Sequence, residues 1–243
     1  MSEEWDDWWK GPKEESIKRK EAAAFEAFGV KAGDSFLIVT EGTVTEPVYF
    51  EFLLEGLELS RVRVRITPGV HPDPRHVIRT ADRIATEQQE KAAKKQLSIG
   101  EPEDFDHVWA VIDTDVAVRN GFWNEVEQLA EARCVRLAHS TPCFEFWLLL
   151  HFGMTTRGDL PDGTTAKAAV KKVLGHVYST DEDTARKAIA SFIANWPDAV
   201  KYAGQVRQHH QAAGTKLPAN PSTEVDILVR ALNNSAPEHL RKL

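Results

Sequence analysis

Three acidic residues directly follow or end two hydrophobic runs of this chain, and their type and spacing predict metal chemistry. Glu41 comes after the run 36–40. Asp113 and Asp115 come at the end of the run 108–112. Short runs rich in β-branched and aromatic residues are typical of buried strands, and the carboxyl ends of neighbouring parallel strands meet in one crevice. If the two strands are neighbours, three carboxylates there would supply the hard oxygen ligands that Mg²⁺ or Mn²⁺ binds.

Two further acidic residues lie where a carboxylate needs an explanation. Glu46 comes five residues after Glu41, at the predicted start of a helix. There it could either reach the metal site or complement the positive end of the helix dipole, and we leave both roles open. Glu145 lies in a strongly apolar segment. Because a buried carboxylate needs a partner, it belongs either to the site or to a salt bridge, and we favour the site.

The residues that would contact substrate phosphates are less distinctive. Lys167 and Lys171 share one face of a predicted helix that follows a polar loop. They are our first candidates for holding a phosphate backbone. Gly42 directly follows Glu41 and lacks a side chain, so it would let the main chain approach a phosphate closely.

Alternating strand and helix patterns predict the scaffold that positions these residues. Strands are expected at 36–40, 62–66, 107–113 and 134–138, and helices at 47–57, 74–95 and 123–133. This order predicts an α/β fold with a mostly parallel four-stranded sheet flanked by helices and right-handed crossovers. Beyond residue 141 the pattern is helical throughout, with helices near 142–152, 166–174, 183–194 and 199–212 and a last one after residue 223.

Composition limits the classes of function. The chain has 243 residues, 42% of them hydrophobic, with a net charge of −7, as in ordinary globular proteins. The negative charge argues against a passive nucleic-acid-binding module but not against an enzyme whose metal ligands are acidic. The longest apolar stretch, 144–152, is too short to cross a membrane, and no signal peptide is visible. With only two cysteines, we expect a cytoplasmic protein without a disulfide framework.

Four segments in a fixed order resemble the RloB-like family, whose members look like proteins with a Toprim-type domain encoded beside restriction loci. The segments are 39–50, 109–115, 141–152 and 220–225, and the resemblance spans residues 35–232. Thr141 stands where the family usually has Asn, a modest departure because both residues can cap a helix. On this basis we divide the chain into an N-terminal arm (1–34), a Toprim-like catalytic core (35–152) and a helical C-terminal extension (153–243) packed on the core.

The resemblance implies a Mg²⁺- or Mn²⁺-dependent nuclease that hydrolyses phosphodiester bonds. Glu41, Asp113 and Asp115 would be its metal ligands and catalytic residues, with Glu41 as general acid or base or as ligand of a second metal. Glu46 and Glu145 join them as catalytic candidates on the arguments given above. The resemblance also implies a toxic effector of bacterial antiphage defence that acts with an ABC-type ATPase partner. Its target would be DNA or RNA, with tRNA as one candidate, and its oligomeric state stays open.

Other classes fit the residues less well. A non-catalytic or regulatory Toprim protein that binds a partner or nucleic acid is the main alternative, and Trp5, Trp8 and Trp9 in the N-terminal arm would suit it. A phosphatase of the haloacid-dehalogenase type carries its Asp-x-Asp motif on the first strand, whereas here the motif follows the third. A P-loop NTPase is excluded because Gly-x4-Gly-Lys-Ser/Thr is absent, and the histidines and cysteines lack zinc-site spacing.

Overall fold

A computed structural model describes residues 30–243 of the chain, except for 62, 70, 72, 157–159, 176–180 and 217. The strands of this part are β1 (Phe36–Thr40), β2 (Val64–Pro68), β3 (His107–Asp113), β4 (Arg136–Thr141) and β5 (Ser222–Thr223). The α-helices are α1 (Thr45–Gly56), α2 (Pro74–Ala93), α3 (Asp115–Arg119), α4 (Trp123–Ala132), α5 (Phe144–Leu149), α6 (Gly163–Leu174), α7 (Glu182–Phe192), α8 (Trp196–Ala212) and α9 (Val225–Ser235). The tryptophans of the N-terminal arm lie outside the described residues.

The strands form one mixed sheet that brings the ends of β1 and β3 together. Its order is β2-β1-β3-β4-β5, with parallel pairing from β2 to β4 and antiparallel pairing between β4 and β5. In the register of β1 and β3, Thr40 lies opposite Val111. The N–H of Glu41 extends this ladder by donating to the carbonyl oxygen of Val111 at 2.9 Å. The predicted α/β class, a mostly parallel sheet flanked by helices with a helical C-terminal region, is confirmed.

Three strand predictions need correction. The second strand runs over Val64–Pro68 instead of 62–66. The fourth strand runs over Arg136–Thr141 instead of 134–138. Cys134 has a φ of 51°, and its N–H donates to the carbonyl oxygen of Glu131, so this residue closes the turn after α4 instead of entering the sheet. The sheet also has five strands instead of four, because Ser222 and Thr223 pair with the end of β4. Two residues are too few to produce a periodic pattern in a sequence.

Several helices also begin earlier than the sequence indicated. The helix α6 starts at Gly163, inside the predicted loop, because Asp162 caps it: the Asp162 carboxylate accepts from the N–H of Thr165 at 2.9 Å. A side chain that accepts a bond from a free first-turn N–H stabilises the start of a helix. The short helix α3 was not predicted, since its five residues lie directly after β3. It places Asp115 in its first turn.

Two hydrophobic clusters cover the two faces of the sheet. Alternate residues of β1 contribute to each, with Phe36 and Ile38 in one cluster and Leu37 and Val39 in the other. The first cluster extends through α1, α5, α8 and α9, and the second packs α2 and α4 against the sheet. All five residues of β1 are buried, so the first side chain that can take part in a site is Glu41, directly after the strand. None of the helices in the described ranges has the length and apolar character needed to cross a bilayer.

Candidate functional site

The ends of β1 and β3 are joined through the side chain of Glu41. Its Oε2 atom accepts a hydrogen bond from the N–H of Asp113 at 3.1 Å. The carboxylate of Asp113 accepts in turn, through Oδ1, from the N–H of Phe144 at 2.9 Å. Phe144 is the first residue of α5, which follows β4. The residue after β1, the last residue of β3 and the start of the helix that follows β4 therefore meet at the carboxyl edge of the parallel sheet.

Glu46 folds back onto the turn between β1 and α1. Its Oε1 atom accepts from the N–H of Gly42 at 3.0 Å, and the side chain is 7% exposed. The absence of a side chain at Gly42 is necessary here, since a Cβ atom would lie 2.1 Å from Glu46 Oε2. Thr40 closes the same turn by donating through Oγ1 to the carbonyl oxygen of Gly42 at 2.8 Å. The turn fixes the Glu46 carboxylate near Glu41, and in this structure the space above Gly42 is filled by Glu46.

Asp115 and Glu145 approach the same edge from the β3 and β4 sides. The N–H of Asp115 donates to the carbonyl oxygen of Pro142 at 3.3 Å, which ties α3 to the turn before α5. Glu145 is 4% exposed, and Lys167 Nζ lies 4.0 Å from its Oε1 atom. The start of α6 lies near the Asp115 carboxylate, since a Cβ atom at Gly163 would be 4.0 Å from Asp115 Oδ2. The sequence analysis offered a salt bridge or a place in the site as alternative roles for Glu145. In the structure Glu145 has both.

The pKa values show that these carboxylates act on one another. The pKa of Glu41 is raised to about 8, mainly by burial and also by the charges of Glu46 and Asp115, while the hydrogen bond from the Asp113 N–H acts in the opposite direction. Burial and the charge of Glu145 raise the pKa of Glu46 to about 7. The pKa of Asp113 is raised well above its usual range by burial and by three carboxylates, those of Glu41, Glu46 and Glu145. The five predicted acids therefore form one interacting group, which we call the acidic edge: Glu41, Glu46, Asp113, Asp115 and Glu145.

The two candidate lysines differ in their relation to the acidic edge. The pKa of Lys167 is raised, first by the charge of Glu145 and also by those of Asp113 and Glu46. Its ammonium group is half exposed, so it can face both the carboxylates and a ligand. Lys171 is exposed one turn further along α6, and no ion pair joins it to the five carboxylates within the described part of the chain. Only Lys167 is brought to the acidic edge.

Sequence reasoning missed a sixth acid. Asp73 caps α2 by accepting from the N–H of Arg75 at 2.8 Å, and its charge contributes to the raised pKa of Glu41. The Asp73 pKa itself is lowered to about 2, mainly by its hydrogen bond with the Arg75 side chain. Asp73 follows β2, the strand beside β1, by five residues, so its position after a strand and before a helix was the available signal.

The chemistry of the acidic edge suits a hard divalent cation. Carboxylate oxygens are the ligands that Mg²⁺ and Mn²⁺ prefer, and a cation would relieve the repulsion that raises the pKa values of Glu41, Glu46 and Asp113. In the described residues, however, no three Asp, Glu, His or Cys side chains converge as a formed set of metal ligands. One oxygen each of Glu41, Glu46 and Asp113 is instead held by a main-chain amide. The second oxygen of each carboxylate is the one that would coordinate a cation.

Comparison with known proteins gives one match. The model of a family described as RloB-like protein matches residues 36–232, which is most of the chain and includes every residue of the acidic edge. Searches of the curated proteins and of the solved structures found no match.

Proposed function

We propose that this chain, which belongs to the RloB-like family, is a metal-dependent nuclease. Its five carboxylates lie together at one edge of the sheet. The observation that carries this proposal is the acidic edge itself. Its members come from β3, α1, α3, α5 and the turn after β1. The pKa values of Glu41, Glu46 and Asp113 are raised by burial and by the charges of neighbouring carboxylates. Such an arrangement disfavours the folded state, and groups with strongly shifted pKa values in a cleft are typical of functional sites.

The residues of the acidic edge would divide the work of phosphodiester hydrolysis. Glu41, Asp113 and Asp115 would hold Mg²⁺ or Mn²⁺, which when bound supplies charge stabilisation for the phosphate and the leaving oxygen. Without metal, a pKa of about 8 would let Glu41 exchange a proton near neutral pH, whereas as a metal ligand Glu41 would be ionised, so the two roles are alternatives. Glu46 and Glu145 would support these ligands from the α1 and α5 sides. Gly42 and Lys171 remain our candidates for substrate contact, with Lys167 in the stronger position beside Glu145.

Family membership supports a wider biological proposal. We infer a Toprim-type effector of bacterial antiphage defence that works in the cytoplasm with an ABC-type ATPase partner. Its substrate would be DNA or RNA, and tRNA is one candidate. The net charge of −7 favours a role in which local contacts and a bound cation, instead of overall charge, hold the nucleic acid.

The decisive experiment is cleavage of three labelled substrates by the purified full-length protein. Plasmid, single-stranded DNA and total tRNA would each be incubated with Mg²⁺, Mn²⁺ or EDTA. Glu41→Gln and Asp113→Asn would be compared with Asp198→Asn, a matched control that changes an exposed carboxylate on α8. We expect metal-dependent cutting that both acidic-edge variants lose by at least a factor of about 10³ and that the control retains.

Two outcomes would count against the proposal. Cutting that survives in both acidic-edge variants would mean that another site, or a contaminating nuclease, is responsible. No cutting of any substrate by a folded protein, with and without its purified ATPase partner, would favour the alternative of a non-catalytic protein that binds a partner or nucleic acid.

A further inference from the structure

The segment that follows β3 is bonded to the end of β4 and the turn after it at two main-chain positions, and to Glu41 at a third. The N–H of Thr114 donates to the carbonyl oxygen of Ser140 at 3.0 Å, and the N–H of Asp115 donates to that of Pro142 at 3.3 Å. The N–H of Asp113 donates to Glu41 Oε2 at 3.1 Å. Three consecutive amides, each next to or part of a predicted metal ligand, are therefore fixed by neighbouring elements.

A pair of hydroxyl groups reinforces this contact at its centre. Thr114 Oγ1 and Thr141 Oγ1 are 2.7 Å apart, and the two residues are 0% and 4% exposed. Thr114 lies between Asp113 and Asp115, while Thr141 ends β4. The hydroxyl pair thus connects the residue between the two aspartates to the strand that leads into α5.

We propose that Thr141 is a positioning residue, which sets the places of Asp113 and Asp115 through its hydrogen bond with Thr114. The inference rests on the proposed nuclease function, because it assigns Thr141 a part in that same site. Thr141 contacts neither substrate nor metal in this role.

The physical reason lies in the length of the contact. Two hydroxyl oxygens that share a proton approach to 2.7 Å, whereas a methyl carbon and a hydroxyl oxygen require roughly 3.3–3.6 Å. Replacing Thr141 by Val keeps the shape of the side chain, but it removes the hydrogen bond to the buried Thr114 hydroxyl and widens this contact by roughly 0.6–0.9 Å. A displacement of that size at a catalytic group lowers rates by about 100-fold.

The same strand offers a matched control. Ser140 Oγ and Thr223 Oγ1 form a second buried hydroxyl pair at 2.8 Å, which joins β4 to β5. Thr223 also accepts through Oγ1 from the N–H of Val225. Thr223→Val therefore removes a buried hydroxyl from a similar environment, but on the side of β4 that faces away from β3.

The test compares Thr141→Val, Thr141→Ser and Thr223→Val in the full-length protein. For Thr141→Val we expect kcat to fall about 100-fold with KM changed less than about threefold. Thr141→Ser keeps the hydroxyl group and should restore kcat to within about threefold of the wild type, and Thr223→Val should stay in that range. Thr141→Ala, which adds no methyl contact, replaces the valine variant if thermal melting shows that the latter is unfolded.

Two readouts do not depend on cleavage. The affinity for Mn²⁺, measured by calorimetry, should weaken in Thr141→Val and stay unchanged in Thr223→Val. Hydrogen exchange at the amides of residues 113–115 should accelerate at least about tenfold in Thr141→Val relative to Thr223→Val.

The outcomes separate this inference from the proposed function. If the wild type neither cuts nucleic acid nor binds Mn²⁺, the nuclease proposal fails, and amide exchange still decides whether Thr141 fixes the two aspartates. Equal effects of Thr141→Val and Thr223→Val on all three readouts would overturn the positioning role, as would the failure of Thr141→Ser to restore them.

Discussion

Two regions of the molecule bury carboxylates in opposite ways. Asp226 on α9 is fully buried, and the guanidinium group of Arg207 on α8 donates to both of its oxygens, at 2.5 and 2.7 Å. Glu46 at the acidic edge is almost as buried, at 7% exposure, but it accepts from the Gly42 amide and lies near other carboxylates. One carboxylate is neutralised by a bidentate arginine, whereas Glu46 has Glu145 near it and only the more distant charge of Lys167 to oppose the repulsion.

The difference separates a structural ion pair from a candidate site. A bidentate Arg–carboxylate pair compensates the cost of burying charge and here fastens α8 to α9. A group of like charges cannot do so, and the pKa values of Glu41 and Glu46 are raised, first by burial and also by neighbouring carboxylates. Because the acidic edge disfavours the folded state, its presence is better explained by ligand binding than by stability.

The largest expected effect comes from breaking the structural pair. Asp226→Asn leaves the partly buried Arg207 without a counter-charge, so we expect the free energy of unfolding to fall by about 3 kcal/mol. Urea denaturation would measure the change. Asp198→Asn on the exposed side of α8 should alter stability by less than about 0.5 kcal/mol. Equal stabilities of the two variants would show that the pair does not hold the helices together.

The acidic edge predicts an unusual dependence of stability on pH. Glu41 and Glu46 have folded-state pKa values of about 8 and 7, against an ordinary value of 4.5, so the folded chain binds more protons than the unfolded chain between these limits. These two groups therefore make the free energy of unfolding highest below pH 4.5, and it falls as pH rises to about 8 in the absence of metal.

Thermal melting at pH 5 and pH 8.5, with EDTA or with Mg²⁺, would measure this dependence. We expect Mg²⁺ to restore part of the lost stability at pH 8.5, because a cation that binds only the folded state stabilises it. A melting temperature that rises from pH 5 to pH 8.5 in EDTA would contradict the repulsion that we assign to the acidic edge.

The turn that carries Glu46 can be disturbed directly at Gly42. In Gly42→Ala the new Cβ atom would lie 2.1 Å from Glu46 Oε2, so the carboxylate has to move. We expect a loss of about 1–3 kcal/mol in stability and a fall in cleavage rate. Gly204→Ala in α8 is the matched control, since its Cβ meets no atom within 4 Å and alanine favours a helix. Stability unchanged in Gly42→Ala would show that the Glu46 contact is not needed.

Neutralising Glu46 should raise the free energy of unfolding, whereas neutralising Asp226 should lower it. At pH 8.5, Glu46→Gln removes a disfavoured charge while its carbonyl oxygen can still accept from Gly42, so stability should rise by about 1–2 kcal/mol. At pH 5 the variant should match the wild type, because Glu46 is then protonated in the folded protein. Urea denaturation at both pH values would measure this. A loss of stability at pH 8.5 would place Glu46 with Asp226 as a structural carboxylate.

The smallest effect on stability is expected at Lys167. Its ammonium group is half exposed and 4.0 Å from Glu145, so Lys167→Met should change the free energy of unfolding by less than about 1 kcal/mol. If Lys167 also contacts the substrate, KM should rise about tenfold, which corresponds to one charged contact. Steady-state cleavage would be compared with Lys172→Met on the same helix. Equal KM values in the two variants would remove Lys167 from the substrate contacts.

Much of the acidic edge could be predicted because its signals are local. The hydrophobic runs of β1 and β3 have the lengths observed, and Glu41 and Asp113 lie where those runs end. The strand β4 was misplaced, because Cys134 and Val135 continue the apolar pattern although the backbone turns at Cys134. β5 and α3 were missed, since each is too short to impose a pattern of its own.

The sequence by itself therefore determined the family, the α/β class and the identity of five interacting acids. Only the tertiary structure decided that Glu145 and Lys167 meet the ends of β1 and β3, that Asp73 contributes from the start of α2, and that Thr141 bonds to Thr114. The physical reason is the distance along the chain over which each signal acts. Periodicity and capping act within a few residues, whereas the order of strands and the meeting of side chains more than twenty residues apart depend on how the whole core packs.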